Sequence, residues 1–263
     1  MVRVNYLNNR DLLREIHKSK NTYCSYLSPD DGQFDIILPS LSKINRNTIA
    51  QAKKNRADRQ TRDAWERGLK EDPKCKQEQF RVDYKKILKT ELVFRIMTFD
   101  HIPLAPGRKK TPKIKSDHHT RVNFPPFQHY RLDEADQPYC VGKSHWVGGT
   151  QNGYFSKEQG KITNELAKMF IKLCERYGTR GNWRGYTYND EMRSQALLQL
   201  SQVGLQFDES KSANPFAYYT ATITNSFTRI LNIEKKNQNI RDDILEMNNM
   251  NPSYTRQNDW SQD

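Results

Sequence analysis

Three apolar stripes at helical spacing, all between residues 156 and 247, constrain this 263-residue chain more than anything else in it. Ile162, Leu166, Met169, Phe170, Leu173 and Tyr177 mark one face of a helix that Gly178 ends, and Ser156 with Gln159 predicts a capping box at its start. Met192, Ala196, Leu200, Val203 and Phe207 recur at intervals of four, four, three and four, which predicts a second helix from about Asn189. Asn214 and Pro215 then supply a cap and a proline at the first helical position, where its missing N–H costs nothing. Tyr219, Ile223, Phe227 and Ile230 predict the buried face of that third helix. Three such helices joined by short links predict one small bundle. Beyond Asn237 the tail is polar, with a short helical piece from Ile240 to Met247 and a mobile end.

The rest of the chain has another character. Asn9 predicts the cap of a short helix carrying Leu12, Leu13 and Ile16. Residues 47–71 favour helix with a thin stripe, and Phe80, Tyr84, Ile87, Leu88, Leu92 and Ile96 predict a second helix, the two forming a hairpin around Pro73. Residues 103–153 are rich in proline and irregular, with strand character only in RVNFPPFQHYRL and CVGKSHWV. Between Lys43 and Arg131 there are 23 Lys and Arg against 10 Asp and Glu, whereas the signs nearly balance after Ser156. The net charge of +12 therefore resides in the middle, where it favours a polyanionic partner. A hydrophobic share of 35% and a mean hydropathy of -0.96 imply that part of the chain folds against a partner. With no apolar run of the roughly 18 residues that cross a bilayer and no signal peptide, the expected location is the cytosol. Cys24, Cys75, Cys140 and Cys174 are too scattered for a thiolate metal site or a disulfide framework, so free thiols are expected.

On the third predicted helix, Tyr218, Thr222, Asn225, Thr228 and Arg229 turn away from the apolar stripe, with Lys235 and Lys236 beyond. Such a face suits DNA opened into single strands. An aromatic ring stacks on an unpaired base for about 1–3 kcal/mol, Asn and Thr reach base edges, and cations hold phosphates. The competing reading makes Tyr218 and Tyr219 ordinary aromatics of a core or its rim.

The wording around these residues decides between the two. FDESKSANPFAYYTATITNSFTRILNIEKK, preceded by DEMRSQALLQLSQVGLQFDE, resembles the core-binding and promoter-reading region 2 of the sigma-70 family. GYT, a helix containing EM, an FDE turn, an N-P-x-A-Y segment and a basic helix end occur in the order found in the late-transcription sigma factors of tailed phages, and NYLNNRDLLREI is similar to that family's N-terminus. The similarity covers residues 4–18 and 156–247. It implies a mainly α fold, a small helical bundle of sigma region 2 type with a long basic, partly irregular insertion that is helical or α+β. The organisation it implies is an N-terminal helix in 1–27, the insertion in 28–155, the bundle in 156–247 and a tail in 248–263.

The resemblance also implies roles. Glu191, Gln195, Gln199 and Gln202 would dock on the clamp coiled coil of the largest subunit of core RNA polymerase. Tyr218, with Tyr219 beside it, takes the place of the aromatic that stacks on a flipped base of a minus-ten promoter element. Thr222, Asn225, Thr228, Arg229, Lys235 and Lys236 complete the promoter-DNA surface. The implied protein is no enzyme and needs no cofactor or metal; it directs host polymerase to late promoters in the cytoplasm of the infected bacterium. The family's further partners are a co-activator and the sliding clamp, for which the C-terminus offers only Trp260. Two departures stand out: Ala221 and Thr222 replace the tryptophan pair that wedges DNA open in housekeeping members, and no helix-turn-helix follows.

Two other classes compete. His101, His118, His119, His129 and His145, with Cys140 and Asp117 nearby, would serve a metal-dependent nuclease or a zinc-stabilised loop, or else simply pack among aromatic residues. A basic virion structural protein or RNA binder would bind nucleic acid without regard to sequence.

Overall fold

The computed structural model describes residues 7–117 and 120–260, with backbone only for 258–260. Its contacts divide the chain into two units, the first holding residues 1–12, 164–204 and 214–263 and the second residues 13–163 and 205–213.

In the first unit, helix α3 (Asn164–Gly178), α4 (Asn189–Val203) and α5 (Pro215–Met247) form the bundle. Most of the expected stripe residues form its core, but Ile162 precedes α3, and α4 ends at Val203, which leaves Phe207 to the second unit. Leu166, Phe170, Leu173, Met192, Ala196, Leu200, Tyr219, Ile223 and Phe227 are all buried, and Phe170 meets the Tyr219 ring edge to face at 5.0 Å. The helix expected from Ser156 begins eight residues later. Gln159 N–H does donate to Ser156 Oγ (3.2 Å), but the bond closes a bend rather than a helix cap. α5 is one helix of 33 residues, so the piece at 240–247 continues it. No proline or glycine interrupts residues 216–247, and a polar stretch without a breaker extends a helix that packing has already nucleated. A last helix, α6 (Tyr254–Trp260), folds back on α5, where Ser253 N–H and Oγ donate to Asp242 and Arg256 pairs with Asp243 and Glu246.

At Gly204 the Phe170 ring lies 2.5 Å from where a methyl group would sit. Phe170 is 1% exposed and cannot yield, so Gly204→Ala is expected to cost about 1–3 kcal/mol, measurable as a lower thermal midpoint.

The second unit overturns the mainly helical expectation. The described residues are 51% helix and 11% strand, an α+β fold, because the middle segment builds a five-stranded mixed sheet. Its strands are β1 (Cys24–Tyr26), β2 (Ile36–Leu38), β3 (Phe94–Met97), β4 (Phe127–Leu132) and β5 (Pro138–Ser144), in the order β1-β5-β4-β3-β2. Only β2 and β3 run parallel. A separate ribbon pairs β6 (Trp146–Val147) with β7 (Tyr154–Phe155). The two strand-like segments of the sequence thus supply β4, β5 and β6.

The helical hairpin around Pro73 does not form. Its first arm is α2 (Arg46–Glu71), capped by Asn45, but residues 77–91 make only three short 3-10 turns before β3. Ile87, Leu92 and Ile96, spaced as if on a helix, instead pack with Leu38, Ala52 and Ala57 where α2 covers the sheet. Alanine at 52 and 57 lets the helix backbone approach closely, which explains a stripe too thin to read as amphipathic. Alternation along β3 sends Phe94 and Ile96 to this face and Arg95 to the other, where α1 (Asn9–Asn21) contributes His17 and Lys20.

Candidate nucleic-acid interface

α5 is set in place at its first turn. The Asn214 side chain accepts from Ala217 N–H (3.1 Å), and Asn9 Oδ1 accepts from Phe216 N–H (3.1 Å). Asn9 therefore serves α5, while its own helix is capped by Asn8, whose Oδ1 accepts from Asp11 N–H. With these N–H groups engaged, the start of α5 is no anion cradle, and any contact to DNA must come from its side.

At 100° per residue, Tyr218, Thr222, Asn225, Arg229 and Lys236 lie on a strip about 60° wide and about 27 Å long. Asn225, Arg229 and Lys236 are exposed, and no acidic residue interrupts α5 before Glu234. Thr228 and Lys235, also exposed, lie about a quarter turn away and edge the strip rather than belong to it. Tyr218 is half-buried: its hydroxyl donates to Val203 C=O (3.1 Å) and its ring meets Tyr219 at 5.5 Å, so it is braced rather than free to swing. Burial raises its hydroxyl pKa. Thr222 Oγ donates back to the Tyr218 carbonyl, leaving its lone pairs outward.

Tyr219 is a correction. It is 0% exposed, its hydroxyl donates to Gly204 C=O (2.9 Å), and it cannot touch DNA. Consecutive helical residues diverge by 100°, so one tyrosine of the pair fills the core and the other faces out.

On α4, Glu191, Gln195, Gln199 and Gln202 share a face about 80° wide. Glu191 and Gln202 are exposed, Gln195 and Gln199 half-buried. Leu198 lies about 20° beyond the Glu191 edge of that face at 52% exposure, an apolar contact that a search for polar docking residues passes over. The loop before α4 was missed as well. Trp183 packs on Tyr177 of α3 (6.3 Å) and Phe227 of α5 (5.4 Å), so this loop residue bridges the two helices.

Four arginines of the basic middle segment are engaged in internal contacts, while most of its other cations are exposed. Arg56 and Arg59 hold the buried Asp35, Arg131 pairs with Asp31 (2.7 Å), and Arg95 lies between the Phe34 and Phe127 rings at 3.8 Å from each. Lys70, Lys74, Lys76, Lys85, Lys86 and Lys89 remain exposed around the turns after α2.

His101, His129 and His145 are structural. His101 Nε2 donates to Ser144 C=O (2.9 Å), His129 accepts from Arg95 Nε (2.9 Å) and donates from Nδ1 to Asp31 C=O (2.6 Å), and the His145 ring packs at a tilt against Phe124 at 4.1 Å. Burial lowers the pKa of all three, to about 4 for His101, to about 3 for His145 and well below the ordinary value for His129. His118, His119 and the side chain of Trp260 lie outside the described residues. Among the described residues no group of three His, Cys, Asp or Glu side chains is placed to hold a metal ion, and no helix is long and apolar enough to cross a membrane. No protein-family model, curated protein or solved structure matches this chain.

Proposed function

We propose that this protein is a transcription-initiation factor of the sigma type, acting in the cytoplasm of a phage-infected bacterium to direct host core polymerase to late promoters. The observation that carries the reading is the acid-free strip of α5, headed by a half-buried tyrosine whose hydroxyl is held by the Val203 carbonyl. It coincides with the residues that resemble the promoter-reading segment of the sigma-70 family. In this reading α4 attaches to the clamp coiled coil through Glu191, Gln195, Gln202 and Leu198. Tyr218 takes an unpaired base of a minus-ten element, Asn225 and Thr222 contact base edges, and Arg229 and Lys236 hold the strand's phosphates. Binding energy alone then keeps the strands apart. The lysines after α2 add attraction to duplex DNA that falls with salt. A co-activator and the sliding clamp complete the expected partners.

Purified protein added to core polymerase should yield discrete run-off starts. Tyr218→Ala should spare core binding and reduce open complexes, scored as permanganate-reactive thymines, about tenfold or more, the equivalent of a stacking contact of 1–3 kcal/mol. Tyr218→Phe keeps the ring and should restore most of the signal. Glu191→Ala with Gln195→Ala should instead weaken core binding. Unchanged thymine reactivity in Tyr218→Ala removes the base-capture role, and sequence-blind DNA binding without attachment to polymerase removes the whole reading.

A further inference from the structure

The second half of α5 carries a seam that nothing among the described residues covers. Ile233, Ile240, Ile244 and Met247 are 43%, 47%, 53% and 84% exposed. With Asn237 they recur at intervals of four, three, four and three, the heptad spacing that keeps one edge of a helix turned toward a second helix. α6 does not supply that helix. It engages Gln238, Asp242, Asp243 and Glu246, and the middle of that set lies on the far side of α5 from the isoleucines.

We infer that the seam pairs with the same seam of a second copy of this chain, the two helices running antiparallel. Charge decides both occupant and direction. In an antiparallel pair centred between Gln238 and Asn239, Ile233 faces Ile244 of the second copy and Asn237 faces its Ile240. The flanking positions then bring Glu234 against Arg241 of the second copy and Lys236 against its Asp243, and symmetry repeats each pair. A parallel pair would set Lys236 against Arg241 twice. Asp243 already meets Arg256 within its own chain (2.7 Å), so the Glu234 and Arg241 pair is the cleaner reporter. Asn237 opposite an isoleucine keeps the seam weak, and about two heptads make an association that depends on concentration. Of the residues given a role in transcription it uses Lys236 alone, whose pairing with Asp243 excludes a phosphate contact; the isoleucine seam and the Glu234 and Arg241 pair are independent of that role.

Sedimentation of the full chain between about 1 and 100 µM should show the mass rising from one chain toward two, with a dissociation constant in roughly the tens of micromolar. Ile240→Lys should stay monomeric throughout that range with an unchanged circular dichroism spectrum, since the residue is exposed in the single chain. Glu234→Arg and Arg241→Glu should each weaken the dimer about tenfold, and the two together should restore it. A chain that sediments as a monomer at 100 µM, or a dimer indifferent to Ile240→Lys, overturns the self-pairing. A dimer that the double charge swap fails to restore overturns the antiparallel direction.

Discussion

Glu209→Gln is expected to destabilise the sheet-bearing unit by about 3–5 kcal/mol, the cost of leaving a buried charge without its partner. Glu209 Oε2 accepts from Lys20 Nζ at 2.6 Å, and Lys20, whose side chain is 1% exposed, spends its other described bond on the Phe207 carbonyl (2.7 Å). His17 Nε2 lies 3.4 Å from the other carboxylate oxygen. Burial by itself would raise the Glu209 carboxyl, but the Lys20 ammonium, the His17 hydrogen bond and Arg95 together hold it below the ordinary carboxylate value. Removing the charge leaves those cations facing one another in a medium that screens poorly. Urea unfolding followed by circular dichroism should show the loss, and the thermal midpoint should fall by about 10 °C. Replacing both members, Lys20→Met with Glu209→Leu, should recover most of it, since an apolar pair carries no desolvation cost. A single variant within about 1 kcal/mol of the parent would show that the pair is not the anchor.

Stability should also collapse on mild acidification. An unfolded histidine takes up its proton near pH 6.5, whereas His101 and His145 hold out to about 4 and 3 and His129 to well below its ordinary value. Across that window the unfolded chain binds more protons than the native one, so stability is complete above pH 6.5 and falls as the pH drops. Each contributes about 1.4 kcal/mol per pH unit, or roughly 4 kcal/mol for His101 and His145 together between pH 6.5 and 5, with His129 and His17 adding in the same direction. That approaches the whole stability of an ordinary domain. Glu209, held low in the native state, adds a further loss below pH 4.5. Denaturation midpoints measured from pH 7 to 5 should show the decline, and His101→Gln, whose amide can donate to Ser144 C=O, should reduce the slope. A flat profile would mean that the buried histidines open to solvent before they titrate.

The bundle was legible in the sequence because each of its helices shows its own buried stripe locally. Met192, Ala196 and Leu200 or Tyr219, Ile223 and Phe227 name a face without reference to any partner. The sheet was not legible, for two reasons. Its strands are three to seven residues long, too short for alternation to stand out, and its inner face is built from groups that look like surface. Arg95 and His129, paired across β3 and β4 on that face, are 1% and 0% exposed. A buried arginine between two phenylalanine rings is readable only once the rings have been brought there. The same limit explains Ile87, Leu92 and Ile96, whose helical spacing arises from turns that happen to return to one core.

At the candidate interface the sequence named Tyr218, Thr222, Asn225, Arg229 and Lys236 and placed them on one side of a helix, since period alone fixes which residues share a face. It could not separate Tyr218 from Tyr219, because which of two adjacent aromatics is covered depends on where Phe170 and Gly204 lie. It likewise ended the third helix near Asn237, since the contacts that carry α5 onward come from Ser253 and Arg256, which return from beyond its end. What the chain determined by itself is everything set by local period and capping: the three stripes, the Asn214-Pro215 start and the exposed strip of α5. What only the tertiary structure decided is everything that depends on residues distant in the chain meeting, from the pairing of β3 with β4 to the burial of Lys20 against Glu209. The physical reason is that a side chain's environment, and hence whether a charge is surface or anchor, is set by neighbours that local pattern does not contain.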